Sequence, residues 1–170
     1  MEEIYKVIEG FENYSVSNLG NVKNNTTNKI LKPYPDSGGY YQVGLSKTNK
    51  KTCFLLHRLV GLQFLDSTDE KLEVDHIDND RSNNKLINLR WATRSQNNYN
   101  RAIQKNNTSG TKGISFNKNK NKWEAYIRID GIKITLGKFT DKQDAINARV
   151  QKANEICGIY TNKCEKIINV

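Results

Sequence analysis

The segment from Val74 to Asn98 constrains the fold of this chain more than any other part of it. Residues 77–85 are rich in Asn and Asp, the residue types that favour turns, and Leu86, Leu89 and Trp91 form an apolar group after them. Beyond this group, Thr93 and Gln96 have the three-residue spacing of a capping box at the start of a helix. The segment therefore predicts a strand, a loop, a second strand and a helix.

Four polar residues in this segment have the chemistry needed to cut a phosphodiester bond. The sequence places Asp75 and His76 in the first strand, Asn88 in the second strand and Asn97 on the helix. A neutral imidazole can accept a proton from water near neutral pH, and carboxylate and amide oxygens bind hard divalent cations. Because the unit can bring these side chains together, the pattern predicts a metal-dependent hydrolytic site. The alternative is an Asn-rich loop that closes an ordinary hairpin, with His76 on the surface.

The order of these residues resembles the HNH nuclease motif of the ββα-metal type, as in homing endonucleases of phages and large viruses. The resemblance implies that His76 is the general base and that Asn88 braces the loop that orients it. It also implies that Asp75 and Asn97 bind one divalent metal ion. Since the protein supplies only one carboxylate and one amide, Mg²⁺ or Mn²⁺ is the expected ion. Arg94, at the start of the helix, is expected to hold phosphate.

The charge distribution predicts a polyanionic partner for the same region. The chain of 170 residues has a formal net charge of +9, and no Asp or Glu lies between Arg81 and Trp123. A stretch whose charged side chains are all positive, and which includes part of the candidate site, is typical of nucleic-acid binding. Arg81 and Arg90 are therefore candidate DNA contacts, and the alternative is a solvated basic face. The three cysteines form no Cys-x-x-Cys pair, so we expect no structural zinc.

Residues 1–65 predict a small β-rich module that ends in a helix. Val16 and Val22 flank an Asn-Leu-Gly-Asn turn, which indicates a hairpin. Apolar residues recur at helical spacing from Leu55 to Phe64. The segment resembles the short module that often precedes HNH homing nucleases, which implies DNA contact or support for the nuclease core; a plain β scaffold is the alternative. His57, within the helix, is expected to touch phosphate, to support the site or to be a satisfied structural histidine.

Residues 113–158 predict a second unit of three antiparallel strands and one helix. Three runs alternate apolar and polar residues, and Asp130-Gly131 is a hairpin turn signal. Thr140 and Gln143 predict a capping box for a helix that ends at Gly158. The phase of the alternation predicts a face buried beneath this helix. That face is expected to contain Ile114, Phe116, Trp123, Ala125, Ile127, Ile129, Ile132, Ile134 and Leu136.

This second unit resembles the ethylene-response-factor (Apetala-type) DNA-binding domain of plants. The resemblance rests on Trp123-x-Ala125-x-Ile127-Arg128, Leu136-Gly137-x-Phe139 and Ala145-x-x-Ala148. It implies that the exposed face of the sheet reads bases in the major groove. The candidate DNA contacts here are Lys112, Ser115, Asn117, Lys118, Tyr126, Arg128, Lys133 and Thr135.

Together the patterns predict an α+β protein: a β-hairpin and helix module (1–65), a ββα-metal HNH core (66–103), a linker (104–112), a three-stranded sheet on one helix (113–158) and a tail (159–170). The expected function is nicking of double-stranded DNA by a monomer, leaving 5′-phosphate and 3′-hydroxyl ends. The alternatives are a binding-only regulator with an inactive core and a structure-specific or RNA-directed nuclease. Without a signal peptide or membrane span, an intracellular location is expected, and no protein partner is implied.

Overall fold

The structure is a computed structural model that describes residues 2–66, 69, 71–104 and 106–162. The chain forms two compact units, Met1–Thr93 and Arg94–Val170. The fold is α+β with small antiparallel sheets, as the sequence predicted. None of the helices in the described ranges is both long and apolar enough to span a membrane. The predicted tail lies outside the described residues from 163 onward.

The described residues of the first unit form three small sheets and one α-helix. Strands β1 (Tyr5–Ile8), β2 (Phe11–Ser17) and β3 (Val22–Asn24) form one sheet, in which Val16 lies opposite Val22. The predicted hairpin is therefore confirmed. A second sheet consists of the strands β4 (Tyr34–Pro35), β5 (Tyr41–Lys47) and β6 (Lys50–Leu55), and helix α1 (Leu56–Phe64) follows directly.

One apolar core joins these elements. Buried side chains from the two sheets, including Val16 and Leu45, pack with Leu59 and Val60 of α1. Gly61 of α1 faces Val74, because a Cβ at this glycine would lie 2.5 Å from a methyl carbon of that valine. The helix therefore packs closely against the residue that directly precedes Asp75 and His76.

The predicted strand–loop–strand unit is present at the end of the first unit. Strands β7 (Glu73–His76) and β8 (Leu89–Ala92) pair antiparallel, with Asp75 opposite Arg90. The placement of Asn88 in the second strand is wrong by one residue. Its backbone N–H donates to the carbonyl of Lys85 at 2.8 Å, which closes a short 3₁₀ turn (Leu86–Asn88) before the strand begins.

The second unit begins with the predicted helix and continues into a three-stranded sheet. Helix α2 (Arg94–Asn100) starts directly after Thr93. Strands β9 (Ile114–Asn117), β10 (Lys122–Ile129) and β11 (Ile132–Phe139) form an antiparallel sheet with β10 in the centre, and helix α3 (Lys142–Cys157) follows. The predicted turn is confirmed, because Asp130 and Gly131 both have positive φ.

Two details of the second unit differ from the sequence predictions. The N-cap of α3 is Asp141 rather than Thr140; its carboxylate accepts from the backbone N–H of Gln143 at 2.6 Å. Ile132 and Ile134 are 69% and 38% exposed rather than buried. They lie on an edge strand near the hairpin tip, whereas the buried apolar clusters are centred on strand β10. Phe116, on the other edge strand, is also exposed rather than buried, at 43%. The predicted core position of Trp123 is supported, since this half-buried residue packs against the buried cluster that includes Ala125.

Candidate active site

The loop between β7 and β8 is organised around the side chain of Asn88. Its Nδ2 donates to Asp78 Oδ1 at 2.9 Å and to the carbonyl of Asn83 at 2.8 Å, while its Oδ1 accepts from the backbone N–H of Asp78 at 3.1 Å. All three bonds cross the loop, so one buried amide fixes both of its ends. These contacts are those of a residue that braces the loop.

The carboxylate of Asp78 completes this brace. Burial would raise its pKa, but hydrogen bonds from the Asn83 side chain, the Asp80 backbone and the Asn88 side chain outweigh burial and hold the pKa below its ordinary value. Asp78 is therefore ionised near neutral pH and acts as an acceptor for its neighbours.

His76 lies at the end of β7 and is 5% exposed. Its Nε2 lies 3.1 Å from Oδ1 of Asn84, a buried residue of the same loop. The Asn84 amide also donates from Nδ2 to the carbonyl of Ser82 at 3.0 Å. The imidazole is therefore held by a side chain that the sequence pattern had not singled out, because its role depends on how the loop folds.

A second imidazole packs against His76. The ring of His57, on α1, is 4.9 Å from the ring of His76 and 5.1 Å from that of Tyr40. His57 is 4% exposed, and its Nδ1 has no hydrogen-bond partner within the described ranges. Burial, aided by the nearby His76 and Arg58, lowers the pKa of His57 to about 3, so the ring is neutral in neutral solution.

Of the three expectations for His57, this environment fits support for the site, because its ring packs against that of His76. A ring this deeply buried is not placed to touch phosphate, and an Nδ1 without a described partner is not that of a satisfied structural histidine. The contact with His76 joins residues far apart in the chain, so no local sequence signal could have found it.

Arg81 lies at the surface beside this group of rings. Its guanidinium is 4.4 Å from the centre of the Tyr40 ring and donates to the carbonyl of Gly38. The exposed side chain therefore has a defined position next to the buried rings.

Asp75, the residue next to His76, forms an ion pair with Arg90. Oδ2 of Asp75 accepts from Nε of Arg90 at 2.9 Å and from its Nη2 at 2.8 Å. Both side chains are largely buried. Arg90, a candidate DNA contact by sequence, thus neutralises the carboxylate of the candidate metal ligand.

Comparisons with known proteins agree with this geometry. Residues 54–99 match the family model described as HNH endonuclease, and residues 3–46 match the NUMOD4 motif. The chain is 38% identical over 112 residues to the DNA endonuclease I-HmuI of Bacillus phage SP01, covering 65% of this chain and 62% of that protein. A mimivirus protein described as an uncharacterized HNH endonuclease, L247, is 45% identical over 104 residues, covering 56% of this chain and 25% of that protein.

A solved structure extends the similarity over most of the chain. It is described as DNA binding and cleavage by the HNH homing endonuclease I-HmuI. The two chains are 33% identical with a TM-score of 0.55, covering 86% of this chain and 82% of that chain. The chain belongs to the HNH endonuclease family.

The matched HNH range includes α1 and therefore His57, as well as the β7–β8 hairpin. The chain spans 62% and 25% of the lengths of the two curated relatives named above.

The remaining residues of the HNH motif lie on α2, in the second unit. Asn97 is half-buried and Arg94 is exposed. Contacts within the second unit anchor this helix: Lys112 Nζ donates to the carbonyl of Tyr99 at 2.7 Å, and Ser95 Oγ hydrogen-bonds to Asp130 Oδ1. The Tyr99 ring also packs against the apolar cluster beneath α3. The helix that carries Asn97 is thus built into the C-terminal unit.

The outer face of the C-terminal sheet presents the predicted polar residues. Four of them are exposed and two are half-buried. The exposed residues are Ser115, Arg128, Lys133 and Thr135, and the half-buried ones are Asn117 and Tyr126. Lys133 Nζ lies 4.4 Å from the Tyr126 ring centre, and Asn117 donates to Glu124 Oε1 at 3.0 Å.

The two predicted lysine contacts beside this sheet differ in their surroundings. Lys118 is exposed, whereas half-buried Lys112 is engaged with Tyr99. A cavity of about 570 Å³ lies in the same unit, and its lining includes Arg101, Arg128 and Arg149. The unit therefore offers a basic concave surface next to the sheet face.

Within the described part of the chain, no three His, Cys, Asp or Glu side chains come together as a metal cluster. A site with one carboxylate and one amide is of a different kind, because phosphate and water oxygens must complete its shell.

Proposed function

We propose that this HNH family member is a metal-dependent endonuclease that hydrolyses phosphodiester bonds of duplex DNA. The observation that carries the proposal is the buried Asp75-His76 pair at the end of β7, beside a loop that Asn88 braces. A carboxylate next to an oriented imidazole provides a cation ligand and a general base side by side. DNA cleavage by I-HmuI, a protein of the same family, supports this assignment.

In this proposal each residue has one task. His76 takes a proton from the attacking water, which adds to phosphorus while the 3′ oxygen leaves. Asp75 and Asn97 are the proposed ligands of one Mg²⁺ or Mn²⁺ ion, and the order of the motif is what assigns Asn97 to this role. When bound, the ion stabilises negative charge on the phosphate and the leaving oxygen. Arg94 is proposed to hold a phosphate oxygen.

The residues present fit such an ion. The hard oxygen donors of a carboxylate and an amide suit Mg²⁺ or Mn²⁺ better than a thiophilic metal. The ion pair with Arg90 holds the Asp75 carboxylate in position without using a second carboxylate. The products are a 5′-phosphate and a 3′-hydroxyl, and a monomer with one site nicks one strand.

We further propose that the C-terminal sheet supplies DNA recognition. The exposed polar residues on its outer face include Arg128, whose planar guanidinium can make a bidentate base contact, and Lys133, which suits phosphate. Ser115, Asn117 and Thr135 can add hydrogen bonds on the same face. This role rests on the resemblance to the Apetala-type domain and on the exposure of these side chains.

Nicking of supercoiled plasmid tests the catalytic assignment. We expect relaxed circles with Mg²⁺, none after chelation, and a rate lower by about 10²–10⁴-fold in His76→Ala, the usual contribution of a general base. Gln151→Ala, a change at an exposed position of α3, is the matched control and should nick like the wild type. Nicking that survives chelation would refute the metal role, and an active His76→Ala would refute the assignment of the base.

A further inference from the structure

The orientation of one buried amide determines which nitrogen of His76 can act as a base. Asn84 is buried, and its Nδ2 donates to the carbonyl of Ser82 at 3.0 Å and toward that of Arg81 at 3.4 Å. A flipped amide would place Oδ1 against two carbonyl oxygens and lose both bonds. Since Asn84 is buried, water cannot easily replace them. Oδ1 of Asn84 must therefore face His76.

This orientation fixes the proton on the imidazole. Oδ1 can only accept a hydrogen bond, and it lies 3.1 Å from Nε2 of His76. Nε2 must then carry the hydrogen, and in a neutral imidazole the other nitrogen, Nδ1, holds the lone pair. We propose that Asn84 is a positioning residue that holds His76 in the Nε2–H form and so makes Nδ1 the nitrogen that accepts the proton from water. The functional part of this inference rests on the proposed nuclease activity.

The same contact suits the step that follows. When the water proton moves to Nδ1, the imidazolium has a hydrogen on both nitrogens, and the attacking hydroxide keeps the electron pair that bonds to phosphorus. Nε2–H still donates to Asn84, whose acceptor oxygen also stabilises the new positive charge. No rearrangement of the loop is needed during the transfer.

The N-terminal module holds Asn84 in place. The carbonyl of Asn18 accepts from the backbone N–H of Leu86 at 2.8 Å. Gly20 has a φ of +83°, and a Cβ there would lie 3.0 Å from the backbone oxygen of Asn84. The turn of the β2–β3 hairpin thus packs directly on the backbone of Asn84, which gives the module matched by the NUMOD4 motif a structural task at the site.

The ring of His57 limits the remaining freedom of His76. The two rings are 4.9 Å apart with their planes inclined at 56°. Because His57 is buried and neutral, it adds packing without adding charge. The imidazole of His76 is therefore restrained by Asn84 at Nε2 and by a ring at its side.

Nitrogen NMR of His76 in the full-length protein tests the tautomer without any variant. At a pH where the ring is neutral, long-range ¹H–¹⁵N correlations distinguish a protonated nitrogen from one with a lone pair. We expect Nε2 to be protonated and Nδ1 to be the lone-pair nitrogen. A protonated Nδ1 in the wild type would overturn the inference.

Two variants separate the tautomer from loop stability. In Asn84→Asp, one carboxylate oxygen can still accept from Nε2 of His76, while the other faces the two carbonyl oxygens. The protein should therefore lose thermal stability, and His76 should retain the Nε2–H form. Asn84→Leu removes the acceptor, so the Nδ1–H form should appear and kcat for nicking should fall roughly 10- to 100-fold with KM changed less than about twofold. If kcat instead follows thermal stability in both variants, Asn84 is only structural and the inference fails.

His76→Ala separates this inference from the proposed function. An active His76→Ala would refute the general-base assignment, while the NMR result would still decide the tautomer. An inactive His76→Ala together with an Asn84→Leu protein of wild-type kcat would refute the positioning role alone.

Discussion

Arg90 and Asp75 lie opposite each other on β8 and β7, and the arginine donates two hydrogen bonds to a single carboxylate oxygen. Arg90→Leu would leave the Asp75 carboxylate buried without its cation. Breaking a buried pair on one side usually costs about 3–5 kcal/mol. We expect the free energy of unfolding of the first unit to fall by an amount in this range, measured by urea denaturation at pH 7.

Arg58→Leu is the matched control for this change, because Arg58 is an exposed arginine of the same unit. It should change the free energy of unfolding by less than about 0.5 kcal/mol. If both variants lose the same small amount, the Asp75–Arg90 pair does not contribute to the stability of the unit.

Protonation of His57 should destabilise the protein in mild acid. The folded pKa is about 3, whereas an unfolded histidine titrates at its ordinary value near 6.5. Between these values the unfolded chain binds more protons, so stability rises with pH. The contribution is fully present above pH 6.5 and is lost as the pH falls toward 3. By pH 4.5 the expected loss is on the order of 2–3 kcal/mol.

Urea denaturation of wild type and His57→Gln at pH 7 and pH 4.5 measures this contribution. Glutamine does not titrate, so the loss of stability on acidification should be smaller in the variant. All other titrating groups are shared and cancel in the difference. Equal losses in the two proteins would show that His57 titrates at its ordinary pKa in the folded state.

The local parts of the candidate site could be predicted from the sequence. The strand, loop, strand and helix follow from turn residues and apolar spacing, and the Asp75-His76 pair follows from the motif. Strand β8 does not begin at Asn88, because the backbone of Asn88 first closes a 3₁₀ turn. Periodicity in the sequence cannot resolve this difference of one residue.

Contacts between distant residues could not be predicted in this way. The packing of His57 on His76 depends on how α1 packs against β7, and the role of Asn84 depends on the path of the loop. In the C-terminal unit, alternation identified the correct face for Ile132 and Ile134. It could not show that these residues lie on an edge strand, away from the buried centre of the sheet.

Gly113 should tolerate no side chain. It has a φ of +66°, its carbonyl accepts from the backbone N–H of Tyr126 at 2.8 Å, and a Cβ would collide with the Tyr126 carbonyl oxygen and lie 2.7 Å from Nε of Arg149. Gly113→Ala therefore combines backbone strain of about 1–2 kcal/mol with a steric clash against backbone. We expect a loss of about 3 kcal/mol or more in the stability of the second unit.

Gly131→Ala is the matched control for the clash. Its φ of +83° gives similar backbone strain, but no atom lies within 4 Å of the added Cβ. The difference in the free energy of unfolding between the two variants, measured by urea denaturation, gives the cost of the steric clash. Equal losses would show that the contact between Gly113 and strand β10 can relax.

Arg128 and Lys133 should contribute to DNA binding in different ways. They are opposite each other on β10 and β11, and both are exposed on the outer face of the sheet. If Arg128 donates two hydrogen bonds to the edge of one base, Arg128→Ala should relax the base preference at that position and weaken binding there by about 1–3 kcal/mol. If Lys133 contacts phosphate, Lys133→Ala should weaken binding to all sequences alike and lower the slope of log affinity against log salt concentration by about 1.

Selection from a randomised duplex library, in a His76→Ala background that prevents cleavage, measures the change in base preference. Binding titrations at several salt concentrations measure the change in salt dependence. Unchanged base preference and unchanged salt dependence in both variants would show that this sheet face does not contact DNA.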